Sequence, residues 1–231
     1  MIDNVLRNRF RVPIDNAGIW LARRSVTATG LTGIGFAAGL GGCVALTQQF
    51  YGIALVCLVL NRLADLFDGA VARATVVTDF GGFLDIVTDL LIYSGYVLAF
   101  AVGRPENAIA AAVLIYTFLG TGTTFLAAAI IAAKRNITRE PSTRKSFFYN
   151  AALAEGTEST IYLALICIVP DYFAVMSYIF AGIGFASLIG HFTWASQMAM
   201  SAWRVPSSRS RAFPKTSVQR ASRSFWRSFA G

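Results

Sequence analysis

The 231-residue chain is 55% hydrophobic and 14% charged, with a mean hydropathy of +0.57, which excludes an ordinary soluble domain and a disordered one alike. The net charge is +8, but seven of the 20 basic residues lie beyond position 203, so much of the excess is a tail suited to anionic lipid headgroups, and no nucleic-acid partner is expected. Cys43, Cys57, Cys167 and the single His191 fall in apolar runs without metal-ligand spacing and read as packing residues.

In chain order, residues 1–25 mix Arg7, Arg9, Arg11, Arg23 and Arg24 with Val5, Phe10, Ile19, Trp20 and Leu21, and Pro13 splits the segment. This pattern predicts a cytoplasmic amphipathic segment lying in the membrane interface, apolar side down and arginines in the headgroups. No secretory signal peptide is expected, because charges recur through the first 24 residues and leave no continuous apolar core. Six apolar stretches follow at 26–47, 51–73, 79–102, 107–133, 147–169 and 172–197, each near the ~20 residues that cross a bilayer. The first is rich in glycine (Gly30, Gly33, Gly35, Gly39, Gly41, Gly42), as suits close helix packing in lipid. The expected fold is therefore all-α: a polytopic membrane protein with six transmembrane helices over 26–200, an N-terminal interfacial helix, and a basic, disordered cytoplasmic tail over 201–231.

The connections set the topology. With the N-terminus inside, the inner segments 1–25, 74–78, 134–146 and 198–231 carry five, none, five and seven Lys or Arg, whereas the outer loops 48–50, 103–106 and 170–171 carry only Arg104. The positive-inside rule then predicts N-in, C-in, corresponding to the inner membrane if the source is bacterial.

Five of the 12 acidic residues crowd into positions 65–89. Asp65 and Asp68 are spaced i, i+3 and Asp85 and Asp89 i, i+4, so each pair shares a helix face. The pairs are nearly mirrored about the cytoplasmic turn at 74–78, which sets Asp68 against Asp85 and Asp65 against Asp89 in an antiparallel helix pair. At about 1.5 Å per residue they lie roughly 9 and 14 Å below the turn. Four carboxylates at that depth must protonate, pair with cations or bind metal. Two divalent cations would neutralise them, and an all-oxygen set selects Mg²⁺ or Mn²⁺. Such ions commonly bridge phosphate oxygens, which suggests phosphoryl or phosphatidyl transfer. Gly69 opens the helix backbone to a ligand, and Arg73, one turn on, suits a phosphate or nucleobase.

The run Asp65-x-x-Asp68-Gly69-x-x-Ala72-Arg73, followed by Gly81-x-x-x-Asp85-x-x-x-Asp89, resembles the signature of the CDP-alcohol phosphatidyltransferases. Seven residues separate Arg73 from Gly81, one fewer than in the common form, and the difference falls in the turn. The resemblance covers about residues 20–200. It implies that Asp65, Asp68 and Asp85 hold one metal ion and Asp65, Asp85 and Asp89 a second, with Asp89 also the base that deprotonates the acceptor hydroxyl. It further implies that Gly69, Ala72, Arg73, Thr78 and Gly81 serve the cytidine diphosphate donor. The family's Pro-Asn-x-x-Thr run corresponds here to Ala28-Thr29-Gly30-Leu31-Thr32, which keeps Thr32 and places Thr29 beside the donor without the Pro and Asn. Members are commonly homodimers. The implied activity is transfer of a phosphatidyl group from CDP-diacylglycerol to a headgroup alcohol, with release of CMP. Transfer from a CDP-alcohol to a diacylglycerol-type lipid is the alternative within the family, and a cation transporter using the acidic cavity is the alternative outside it.

For the acceptor, the sequence points two ways. Glu155 and Glu158, i, i+3 in the fifth stretch, suit a hydroxyl-rich or cationic headgroup or a structural pairing with Arg62. Lys134, Arg135, Arg144 and Lys145 in the basic loop suit an acceptor phosphate, such as glycerol 3-phosphate or inositol phosphate, or serve only topology.

Overall fold

A computed structural model describes residues 2–134 and 156–201. Within them the chain is all-helical: α1 (Ile2–Arg23), α2 (Ala28–Thr47), α3 (Tyr51–Ala74), α4 (Asp79–Gly103), α5 (Ala108–Lys134), α6 (Gly156–Ile168) and α7 (Phe173–Ser201). Short 3₁₀ turns at Pro105–Asn107 and Pro170–Tyr172 lead into α5 and α7. Helices α2 to α5 begin and end within one or two residues of the predicted apolar stretches. The stretch at 147–169 is described only from Gly156 onward.

Local chemistry accounts for the helix ends. Thr27 and Thr78 are extended N-caps whose hydroxyls accept the amide hydrogens of Gly30 and Gly81, each at 3.1 Å, satisfying a donor the helix leaves open. Helices α1 and α2 each end on a residue in the left-handed region, Ser25 (φ 62°) and Gln49 (φ 61°). Around each, paired amide bonds run back to the last turn, Val26 to Leu21 and Ser25 to Ala22, then Phe50 to Ala45 and Gln49 to Leu46, the Schellman arrangement. The sequence predicts a break at Pro13, but α1 runs through it. Pro13 is exposed, and the helix gives up one backbone hydrogen bond there rather than ending.

Helix α2 packs along both α3 and α4, α1 lies on α3, and α6 touches α3 and α4. The close approach of α2 rests on buried Gly35, Gly39 and Gly42, which share one face. A Cβ at Gly39 would collide with Ile92, and one at Gly42 with Tyr96. The core is built from Leu46, Leu58, Ile92, Tyr96, Val97, Phe100, Leu114, Leu163, Ile166 and Phe173. Phe100 stacks on Phe173 with centroids 4.1 Å apart, and Tyr162 stacks on Phe180 at 4.8 Å.

The outside of the bundle is also apolar. Ile34, Val44, Ile53, Ile109, Tyr116, Ile179 and Ile189 are among many large hydrophobic side chains left exposed. Four helical segments, Ala28–Thr47, Asp79–Gly103, Pro105–Ile131 and Pro170–Gly190, are long and apolar enough to cross a membrane. Helix α3 matches them in length with 24 residues, but carries Arg62, Asp65, Asp68 and Arg73.

Candidate active site

The half-site on α3 and the half-site on α4 meet in a cleft that α2 helps to wall. Its lining includes Thr32, Gly35, Asn61, Arg62, Asp65, Asp68, Thr88 and Asp89. Carboxylate oxygens of Asp65, Asp68 and Asp85 all lie within 4.8 Å of one another. Asp68 is buried, and its Oδ2 accepts a 2.5 Å hydrogen bond from the Thr32 hydroxyl. Thr32 thus fixes the orientation of this carboxylate from α2, across 36 positions of sequence.

Asp89 has a different partner. Its Oδ1 accepts from Arg62 Nη2 at 2.5 Å, and Arg62 Nη1 lies 3.7 Å from Asp65. The rest of the guanidinium fork is also engaged. Nε and Nη2 donate to Asn61 Oδ1 at 2.9 and 2.7 Å, and Nη1 donates to the Tyr93 hydroxyl at 2.7 Å. Asn61 is buried and donates to the Gly35 carbonyl of α2 at 2.9 Å. The Tyr93 hydroxyl lies 3.4 Å from both Asp89 Oδ2 and the Gly156 carbonyl at the start of α6. Four helices therefore hold one guanidinium, and through it one carboxylate. A planar, always-charged side chain with five donors suits that task.

The other predicted residues divide by location. Thr78 and Gly81 form the N-cap of α4, with Thr78 exposed. Gly69 and Ala72 lie half-buried on α3, and Arg73 donates from Nε and Nη2 to Asp15 Oδ1 on α1, at 3.1 and 2.9 Å. Thr29 is exposed on the first turn of α2. Of the acceptor candidates, Lys134 is exposed at the end of α5, and Glu158 is half-buried in the first turn of α6. Arg135, Arg144, Lys145 and Glu155 lie outside the described residues, as does nearly all of the basic tail.

Sequence reasoning did not single out Asn61, Tyr93 or Asp15, and gave Arg62 only a neighbour's role. A signal was present for two of them. Arg62 precedes Asp65 by three residues and Tyr93 follows Asp89 by four, so each continues an acidic face by one more turn.

Three converging carboxylates from two helices, with no nitrogen or sulfur among them, are a donor set for a hard divalent cation. The sequence profile of the CDP-alcohol phosphatidyltransferases matches residues 25–204, and the chain belongs to that family. It is a membrane-bound phosphatidyltransferase of phospholipid synthesis, so the cation-transporter alternative is set aside. The chain is 40% identical to the inner membrane protein YnjF of Escherichia coli over 184 residues, 79% of this chain and 89% of that one. It is 34% identical to the archaetidylinositol phosphate synthase of Pyrococcus horikoshii over 99 residues, 42% of this chain and 53% of that one. No solved structure matches it.

Proposed function

We propose that the protein transfers the phosphatidyl group of CDP-diacylglycerol to a headgroup alcohol and releases CMP. The observation that carries this reading is the convergence of Asp65, Asp68 and Asp85 in one cleft that Asp89 also lines. Asp65, Asp68 and Asp85 would hold one divalent cation and Asp65, Asp85 and Asp89 a second, together supplying charge that draws electrons from the diphosphate oxygens. Gly69 leaves room for the donor, and Arg73 binds its phosphate or base, with Ala72, Thr78 and Gly81 along the same edge. Asp89 takes the proton of the acceptor hydroxyl. The alcohol oxygen then attacks the lipid-side phosphorus in line, the bond from that phosphorus to the CMP oxygen breaks, and CMP leaves. Arg62 and Thr32 keep two of the carboxylates oriented throughout, so little reorganisation accompanies the reaction.

The same reading sets the protein in the membrane. The four long apolar segments together with α3 and α6 make six spans, with α1 in the interface, both termini inside and the cleft open to the cytoplasm. The acyl chains of the donor stay in lipid while its head reaches the cleft. The name of the archaeal relative puts inositol phosphate on the acceptor panel beside glycerol 3-phosphate, serine and choline. The test is CMP release by purified protein with CDP-diacylglycerol, Mg²⁺ or Mn²⁺, and each acceptor in turn. One acceptor is expected to give metal-dependent CMP, and silence with every acceptor and both metals would remove the reading.

A further inference from the structure

Helix α1 crosses α3 beside the signature glycine, at unusually close range. Gly18 is buried, and a Cβ placed on it would sit 2.6 Å from the backbone carbon of Ala70. No side chain larger than hydrogen fits there without moving the helices apart. Three residues back along α1 stands Asp15, and three residues on along α3 stands Arg73, each on the same face as the contact residue of its own helix. The crossing therefore delivers Asp15 to Arg73. Its Oδ1 takes both Nε and Nη2 of the guanidinium, at 3.1 and 2.9 Å. The remaining terminal nitrogen, Nη1, lies over Gly69, 3.3 Å from where a Cβ would be. A larger residue at position 69 would crowd Nη1, and without Asp15 the fork would be free to swing away.

From this geometry we infer that Asp15 is a positioning residue for donor binding: it grips one edge of the Arg73 fork and leaves Nη1 turned toward the surface of α3 that the nucleotide diphosphate approaches. The inference rests on the proposed transferase reading for the role of Arg73, but not for the contact itself. A stability role does not account for the pair. Both side chains are more than a third exposed, 39% for Arg73 and 34% for Asp15, and ion pairs in such settings add little to folding. The close Gly18–Ala70 packing holds α1 in place instead. What the pair does is reduce the rotamer freedom of a long side chain before the ligand arrives, and pre-organisation of this kind appears as affinity.

The experiment is a comparison of Asp15→Asn, Asp15→Glu and wild type in detergent. Turnover and the affinity for CDP in the presence of Mg²⁺ are followed by CMP release and calorimetry. Asp15→Asn is expected to raise KM for CDP-diacylglycerol and Kd for CDP about five- to tenfold while kcat changes less than about twofold, the pattern of lost ground-state binding. Asp15→Glu keeps the charge and restores most of the loss. In an Arg73→Ala background, Asp15→Asn is expected to change Kd no further, because its target is gone. An unchanged or lowered KM and Kd in Asp15→Asn overturns the inference, as do losses that simply add in the double variant. An Asp15→Asn chain that melts well below wild type shows the pair to be structural and overturns it too. Wild type that binds CDP yet releases no CMP removes the transferase reading while leaving the Asp15 test readable by Kd. Wild type that does neither removes both.

Discussion

Besides the Arg73–Asp15 pair, two more arginines among the described residues pair with aspartates, Arg104 and Arg62, and their settings differ. Arg104, just past the end of α4, donates both terminal nitrogens to Asp171 Oδ1 at 2.9 Å and lies 3.4 Å from Glu106. Asp171 and Glu106 are 80% and 67% exposed. That cluster ties together the 3₁₀ turns leading into α5 and α7. Arg62, in contrast, is only 16% exposed, and its partners come from α3, α4 and, through Asn61 and Tyr93, α2 and α6. The first kind of pair is inexpensive to make and contributes little. The second costs desolvation of both charges, so an apolar replacement would serve the fold as well or better. A chain that keeps such a network in its interior keeps it for what it holds, and what Arg62 holds is Asp89.

The largest effect that tests this contrast falls on the carboxylates. Asp89→Asn keeps the shape and the bond to Arg62 but is a poor base, so kcat is expected to fall by about 10²–10⁴-fold. CDP affinity should change little by comparison. Near-normal CMP release from this variant would remove Asp89 as the base. Chelation of divalent cations with EDTA is expected to abolish CMP release from wild type and Mn²⁺ to restore it. Turnover that survives exhaustive chelation would detach the carboxylate cluster from metal chemistry.

A second effect separates Arg62 from the ions it stands beside. Arg62→Met leaves Asp89 without its cation and Asn61 and Tyr93 without their donor. Because Asp89 is still 28% exposed, the destabilisation is expected to reach at most about 3 kcal/mol, below the figure for a fully buried pair. Added Mn²⁺ can neutralise the stranded carboxylate, so the loss of melting temperature should shrink in saturating Mn²⁺ more than Mn²⁺ raises the wild-type value. An equal shift in both proteins would show that Arg62 and the metal do not share Asp89.

The helices themselves were legible because long apolar runs separated by short connections leave few alternatives. The limits of α3 and α4 followed from Tyr51 to Ala74 and from Asp79 to Gly103 almost residue by residue. The spacing of the aspartates showed which face of each helix is acidic. Their mirrored placement about the turn set the acidic faces of α3 and α4 against each other, as the clustering of Asp65, Asp68 and Asp85 bears out. It did not show which further helices pack beside them, because periodicity within a helix carries no information about more distant neighbours. Hence α2 lying along both α3 and α4 was not foreseen, nor was Thr32 reaching Asp68. The same holds for Arg62 with Asp89, 27 positions apart, and Arg73 with Asp15, 58 apart. In each case a polar side chain was visible in the sequence, and the tertiary contact that gave it a partner was not. Pro13 is the opposite case, a strong local signal for a break that α1 runs through.

The smallest effect belongs to the far pair, and it completes the contrast. Asp171→Asn removes one charge from an exposed cluster without removing the side chain's shape or its oxygen acceptor. Arg104 is not stranded by the change, because Glu106 remains within 3.4 Å and the surroundings are open to solvent. Exposed pairs of this kind contribute about 0–1 kcal/mol, and salt weakens them further. The melting temperature of Asp171→Asn is therefore expected to lie within a few degrees of wild type, with the difference narrowing from low to high ionic strength. KM and kcat should be unchanged, since Asp171 stands beyond the opposite end of α4 from the carboxylates. A loss comparable to that of Arg62→Met would mean that the turns before α5 and α7 are coupled to the cleft, and that exposure alone does not distinguish the two arginines.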